Sequence, residues 1–406
     1  MSATPRPEPL GGRILTPTVV GLLGLTALGV AMILYRAAVG LGGATAMNDG
    51  YAWGLWIAFD VVTGTALGCG GYVIAMLVYI LNRGKYHPLI RPAMLTSALG
   101  YTIAALSVML DLGRPWMTWK IPIFVWQWNA QSELLEVALC IMTYTVVLWF
   151  ELTPAMLERA TTARWPVLRK VARVTLPKVR SSMLWVTALG VLLPTMHQSS
   201  LGGLLLLSGP RLHPLWNSPL LPLLFLFSCV LMGFGAVVIE GLLSARYLGA
   251  RSEIPMLADL GRIIVGVAVV FVVVRLADVA MRGHFGDLLR GDVYAIMWIF
   301  EVLLLALVVA MLATDAQRKN PANLFRGAML LLFAGGLYRF DVFLLAFSPG
   351  PDWHYFPSVP EILITLGLVA AEAAIYIIFV RTLPILSALP GRPPGPAAPN
   401  AARGLS

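Results

Sequence analysis

Ten runs of about 20 or more mostly apolar residues fill this chain, the length an α-helix needs to cross a bilayer's hydrocarbon core. They lie near 15–35, 52–82, 90–112, 132–152, 182–206, 219–245, 259–281, 292–314, 322–346 and 359–382. Lipid cannot hydrogen-bond the backbone, so such runs must satisfy their own N–H and C=O groups as helices. The expectation is an all-α membrane protein. Composition excludes a soluble domain of this length: 58% of the 406 residues are hydrophobic and 12% charged, with mean hydropathy +0.81. The second run is longer than a bilayer requires and is expected to tilt or protrude.

The net charge of +9 invites a nucleic-acid reading, which the placement of the charges argues against. Of the 29 Lys and Arg, 21 fall at the two chain ends, in the loops after runs 2, 4, 6 and 8, or within a few residues of the run ends beside them. Only 6 fall in the alternate loops, and Arg275 and Arg339 lie deeper inside runs. This is the positive-inside pattern, so both termini are expected on the cytoplasmic side of a bacterial inner membrane. The loops 36–51, 113–131, 207–218, 282–291 and 347–358 then form the outer face, a docking surface rich in Trp, Pro and Gly. No cleavable signal is expected, because the first run is longer than a typical signal-peptide core. Residues 1–14 read as a cytoplasmic N-terminus, and the Pro/Gly/Ala-rich tail 389–406 as disordered. Cys69, Cys140 and Cys229 all lie in apolar runs without ligand spacing and read as small packing residues.

Ionisable groups in hydrocarbon cost a few kcal/mol each, so each needs a reason. The segment from Leu189 to Leu206 places Pro194, His197, Gln198, Ser199 and Ser200 inside a long apolar helix. His197 is the one histidine clearly at membrane depth, and an imidazole there is a natural proton handler. Orientation brings other groups to its level. Asp60 lies about two turns into run 2, below Trp53 and Trp56, which read as interfacial anchors. Run 3 ends at Asp111 with Arg114 just beyond, a possible ion pair. Glu133 and Glu136 share one face at the start of run 4. One pocket holding His197, Asp60 and Glu136 is the expectation, with Tyr101, Asp111, Arg114 and Gln198 around it. Gly64, Gly68 and Gly71 read as a close-packing face.

A second polar set spans runs 6 to 10. Arg275 and Asp278 are three apart and Arg339 and Asp341 two apart; these charges can neutralise each other within or between helices, and structural pairing is the simpler reading. Glu301 lies in run 8, Glu372 is mid-run in 10, and Glu240 is placed for a proton path from the cytoplasm. A b-type haem usually takes two axial ligands, commonly histidines on facing helices. His87, His213, His284 and His354 fall in loops, so no haem is expected, and no spacing suits an iron–sulfur cluster or a metal.

The segments Tyr51–Asp60, Leu81–Ile90, Leu193–Gly202 and His213–Trp216 resemble the HybB-type branch of the NrfD/polysulfide-reductase family. These are integral membrane subunits of periplasm-facing respiratory nickel–iron hydrogenases. The resemblance covers nearly the whole chain outside the tail. It implies two four-helix bundles, runs 2–5 and 6–9, flanked by the first and last helices: residues 15–206 and 207–388. It implies a quinone, menaquinone or ubiquinone, reduced near the outer side of the first bundle. Its partners would be a ferredoxin-like iron–sulfur subunit and the hydrogenase small and large subunits. Asp60, Tyr101, Glu136, His197 and Glu240 match family positions proposed for quinone or proton handling, and Glu301, Arg275 and Asp278 would extend the proton path. The alternatives are an anchor for another periplasmic oxidoreductase, or a proton-coupled transporter, which the missing repeat and broken-helix pairs disfavour.

Overall fold

The computed structural model describes residues 7–51 and 53–387; the tail expected to be disordered lies outside them. Ten helices are long and apolar enough to cross a membrane: Pro17–Val39, Trp56–Ile80, Gly84–Asp111, Glu133–Ala160, Pro166–Leu206, Leu221–Leu248, Ile254–Met281, Val293–Leu312, Pro321–Leu345 and Val359–Thr382. They are spans 1 to 10 below. No strand occurs among the described residues; one isolated bridge joins Leu212 to Phe347.

Local chemistry sets the helix ends. Thr16 caps span 1 ahead of Pro17, Asp292 caps span 8, and Asn320 caps span 9 ahead of Pro321. Ser358 and Glu361 form a capping box on span 10. Gly40, at φ +81°, ends span 1 in a conformation an L side chain resists. Spans 4 and 5 run further than hydropathy indicates, to Ala160 and from Pro166, so much of the basic stretch 159–180 is helix rather than loop. The two pack along their length as an antiparallel hairpin, and Glu158 ties them with Arg91 at 2.8 Å and Arg180 at 2.9 Å. Ala, Leu, Arg and Lys favour helix once that neighbour is present.

Spans 2, 3, 4 and 5 pack in a closed ring, and spans 6, 7, 8 and 9 form a second. The rings meet where span 6 lies against spans 2 and 5, and span 9 against the start of span 2. Spans 1 and 10 pair with each other, and span 10 docks on spans 2 and 3. Span 2 is therefore central: 83% of its apolar window is buried, against 11% for span 1. It begins at Trp56, later than the apolar run does. It opens and closes in π-helical turns, Trp56–Thr63 and Met76–Ile80, and breaks at Gly68–Cys69. Such wide turns are frequent at functional sites.

Trp53 and Trp56 are not interfacial anchors. Trp53 packs on Phe343 and Phe347 and donates to the Phe343 carbonyl at 3.0 Å; Trp56 is fully buried and donates to the Glu361 carbonyl at 3.3 Å. They tie the start of span 2 to spans 9 and 10. The second ring is pinned by Arg275 on span 7, which pairs with Glu301 on span 8 at 2.6 Å rather than with Asp278. Trp216 also donates to Glu301, at 3.2 Å. Asp278 turns to Arg282 at 2.7 Å and Ser218 at 2.8 Å. Arg339 holds the Val62 and Phe225 carbonyls at 2.6 Å each and Ser228 at 3.1 Å, and makes no ion pair with Asp341. Of the pairings within or between helices that the sequence left open, Arg275 takes one between helices and Asp278 one along its own span. A spacing of two or three residues does not aim both heads at each other across a packed ring.

Gly29 and Gly367 let spans 1 and 10 touch: a Cβ on Gly29 would lie 2.7 Å from the Gly367 Cα. Gly367→Leu should therefore lower the thermal midpoint of the detergent-purified protein, by about 1–3 kcal/mol of overpacking, while Gly21→Leu, with nothing within 4 Å, should not. Arg275→Met should cost about 3–5 kcal/mol by stranding a buried carboxylate, and adding Glu301→Leu should recover much of that loss in the same unfolding assay.

Candidate functional site

A cavity of about 850 Å³ lies between spans 1, 2, 3, 6 and 10, with Leu332 of span 9 on its wall. Its lining is mostly apolar and includes Phe59, Leu67, Ile103 and Val369. Four ionisable side chains reach it: Asp60, Glu240, Glu372 and Arg381. Glycine makes the space. Gly64, Gly68 and Gly100 present no side chain to it, and a Cβ on Gly64 would meet only its own helix's Phe59 carbonyl, at 3.5 Å. The glycine face does pack closely as expected where Gly71 meets Ser97 and Met94, but Gly64 and Gly68 also open a chamber.

Asp60 is 3% exposed, in the first π turn of span 2. Its Oδ2 accepts from Ser107 at 2.9 Å and Thr365 at 3.1 Å, and its Oδ1 has no hydrogen-bond partner among the described residues. At the far end Glu240 accepts from Tyr376 at 2.7 Å and Thr96 at 3.0 Å. Glu372 sits one turn before Tyr376 on span 10, on the same face. It lines the chamber between the two other carboxylates by depth.

His197 is fully buried but does not line this cavity. Its Nε2 lies 3.3 Å from the hydroxyl of Thr65, a span 2 residue that does not line the chamber. Gln198 donates to Thr65 at 2.9 Å and to Tyr101 at 3.4 Å, and Tyr101 lies 3.6 Å from the Cys69 sulfur. Tyr101 packs edge-on against both Tyr144 and His197. Two atoms of this cluster, His197 Nδ1 and Gln198 Oε1, are buried without a partner among the described residues. On span 2, Asp60, Gly64 and Gly68 line the chamber, whereas Thr65 and Cys69 turn to the His197 cluster. The expected single pocket is therefore divided by span 2 into two polar clusters.

Glu136 joins neither cluster directly: it is half-buried and accepts from Ser200 at 2.7 Å. Arg114 is exposed and makes no ion pair with Asp111. Arg36 of span 1 closes the end of span 3 instead, donating to the Leu110 carbonyl at 3.1 Å and the Leu112 carbonyl at 2.5 Å. Glu301, Arg275 and Asp278 are structural partners inside the second ring, apart from the chamber.

Several residues carried little signal in the sequence. Glu361 is fully buried and gathers the Ala46 and Ser358 amides at 3.0 and 2.8 Å and the Tyr355 hydroxyl at 2.6 Å. Burial and that carboxylate hold the Tyr355 phenol well above its ordinary range. The capping-box spacing Ser358–Glu361 was the available signal. Glu151 on span 4 faces Gly190, where a Cβ would lie 2.9 Å from its Oε1. Tyr376 carried no signal beyond lying four residues after Glu372. In the loops, burial pushes the His213 imidazole below its usual value as it stacks on Tyr294 at 4.2 Å.

Among known protein families, the polysulphide reductase family NrfD matches residues 43–347. The chain is 38% identical to an Escherichia coli protein named "Probable Ni/Fe-hydrogenase 2 b-type cytochrome subunit", over 94% of this chain and 96% of that one. It is 28% identical to the integral membrane subunit of a menaquinone reductase from Nitratidesulfovibrio vulgaris, over 84% of this chain and 85% of the relative. It is 21% identical to one subunit of a selenate reductase from Mesobacillus selenatarsenatis, over 89% and 92%.

The first of these names corrects one expectation. A haem-free chain was expected, and the E. coli relative is named a b-type cytochrome subunit, which indicates haem. The described residues do not fit two imidazole ligands: His197 alone is buried, His87 and His354 are exposed, and His213 and His284 lie in loops. No cluster of three His, Cys, Asp or Glu suited to a metal ion occurs among them. What the family match establishes is membership: this multi-pass membrane protein belongs to the NrfD, polysulphide reductase family.

Proposed function

We propose that this chain is the quinone-reactive membrane anchor of a respiratory oxidoreductase, most specifically of a nickel–iron hydrogenase. The observation that carries the reading is the intramembrane chamber, a mostly apolar space that the carboxylates Asp60, Glu240 and Glu372 also line. Apolar space with a few fixed polar groups is what a quinone ring and the start of its isoprenoid tail require. The names of the hydrogenase and menaquinone reductase relatives support it.

In this reading the tryptophan-rich loops face the periplasm and seat a ferredoxin-like iron–sulfur subunit, which carries electrons from the hydrogenase small and large subunits. The positive-inside distribution supports that orientation. Two electrons and two protons convert quinone to quinol. Asp60 lies near the electron-delivering end, and its carboxyl hydrogen-bonds a quinone carbonyl and passes a proton to it. Ser107 and Thr365 hold its Oδ2, which fixes the carboxyl at the chamber wall. Glu240 supplies protons from the arginine-rich end.

A second reading keeps the quinone ring at His197, with Gln198 and Tyr101. The two unpartnered buried atoms, His197 Nδ1 and Gln198 Oε1, favour it, because buried polar groups ordinarily find partners. Glu136, on Ser200 one turn along span 5, would then be the nearer acid.

Variants separate the two. Asp60→Asn in the assembled complex should lower hydrogen-to-quinone turnover by about 100-fold and leave hydrogen-to-dye activity intact, with His197→Ala milder. The reverse ranking in that paired assay favours the second reading, and wild-type quinone turnover in both removes the proposal. Gly64→Leu, which has room to enter the chamber, should raise the KM for quinone without lowering thermal stability; an unchanged KM would place the ring elsewhere.

A further inference from the structure

Span 10 lies outside both four-helix rings, yet it contributes as much of the chamber's polar lining as span 6 does: Glu372, Tyr376 and Arg381. A second, smaller cavity of about 30 Å³ opens at the arginine-rich end. Pro88, Leu89, Arg251, Glu253 and Ser387 line it, and a space of that size holds about one or two waters. The two cavities share Glu240 and Ser244. Both shared residues are hydrogen-bonded to Tyr376: its hydroxyl donates to Glu240 Oε1 at 2.7 Å and lies 3.2 Å from the Ser244 hydroxyl. Thr96 holds the other Glu240 oxygen, so this carboxylate is fixed at the junction. One turn further along span 10 stands Glu372, which has no hydrogen-bond partner among the described residues and lies 3.6 Å from where a Cβ on Gly100 would be. Beyond it is Asp60, with its Oδ1 unsatisfied.

We infer that Glu372 and Tyr376 of span 10 relay protons from Glu240 to Asp60, taking them from the small cavity at the arginine-rich end. The inference rests on the quinone reading given above. It routes proton uptake along the first ring's outer face, not through Glu301, Arg275 and Asp278, whose charges are committed to one another and to Arg282. A proton enters through the small cavity to Glu240. Tyr376 accepts it on its oxygen as its own hydroxyl proton leaves toward Glu372. Water in the chamber bridges the remaining gaps, since a chain of hydrogen bonds needs links of about 3 Å and one helical turn is longer. Glu372 then reprotonates Asp60 after each transfer to the quinone carbonyl. Per quinone, two protons cross this route and two electrons arrive from the partner iron–sulfur subunits, so charge and atoms balance in the quinol. Substitution by the amide keeps shape and removes the proton-carrying group.

The test uses the whole complex in quinone-containing liposomes, with hydrogen as donor and a pH dye trapped on the arginine-rich side. Wild type should reduce quinone and alkalinise that compartment by two protons per quinone. Glu372→Gln should slow quinone turnover and lumenal proton uptake together, by at least about tenfold, with KM for quinone and hydrogen-to-dye activity retained and with Glu372→Asp restoring most of the rate. Wild-type rates and lumenal uptake in Glu372→Gln overturn the inference while leaving the quinone reading standing. Uptake by the wild type from the opposite compartment overturns it as well. Failure of the wild type to reduce quinone defeats the underlying reading instead. Should Glu372→Gln not assemble, Tyr376→Phe decides: a tenfold loss of uptake with normal dye activity supports the relay, and unchanged uptake refutes it.

Discussion

A carboxylate in hydrocarbon must be bonded, paired or wetted, and that demand organises this protein. Glu301 is paired with Arg275 and bonded by Trp216; Glu361 is saturated by amides and a phenol. Those groups are spent on holding helices together. Asp60, Glu240 and Glu372 are different. Each turns toward open space, and the space is one chamber. The protein thus sorts its buried charges into a structural class in the second ring and a chamber class beside the first.

Span 2 performs the sorting. Its glycine face admits span 3 closely and leaves the chamber open, while the other face carries Thr65 and Cys69 toward the His197 cluster. A regular helix would rotate these faces evenly. The π turn at Trp56–Thr63 and the break at Gly68–Cys69 alter that rotation just where the polar residues lie. Arg339, fully buried and held by the carbonyls of Val62 and Phe225 and the Ser228 hydroxyl, stitches spans 2, 6 and 9 behind it.

Length and apolarity made the ten spans legible from sequence, because a bilayer imposes both. The ends of spans 4 and 5 were not, since their outer turns are stabilised by each other rather than by lipid. Asp60, Tyr101, His197 and Glu240 could be singled out because a polar group at membrane depth is costly wherever it points. Direction is what sequence could not supply. Hydropathy placed His197 and Asp60 at similar depth, and only the packing of span 2 assigns them to separate clusters. Sequence likewise left open whether Arg275 and Arg339 find partners within or between helices, and the packed ring supplies them from other helices. Span 10 read as a flanking helix, so its Glu372 drew no role and Tyr376 no notice until the chamber gave both a place.

The most direct measurement is photolabelling of the assembled complex with an azido-quinone, followed by peptide mapping. Label is predicted on span 2 near Phe59, on span 3 near Ile103 and on span 10 near Val369, displaced by excess quinone. Displaceable label confined to spans 4 and 5 around His197 would contradict the chamber as the quinone site.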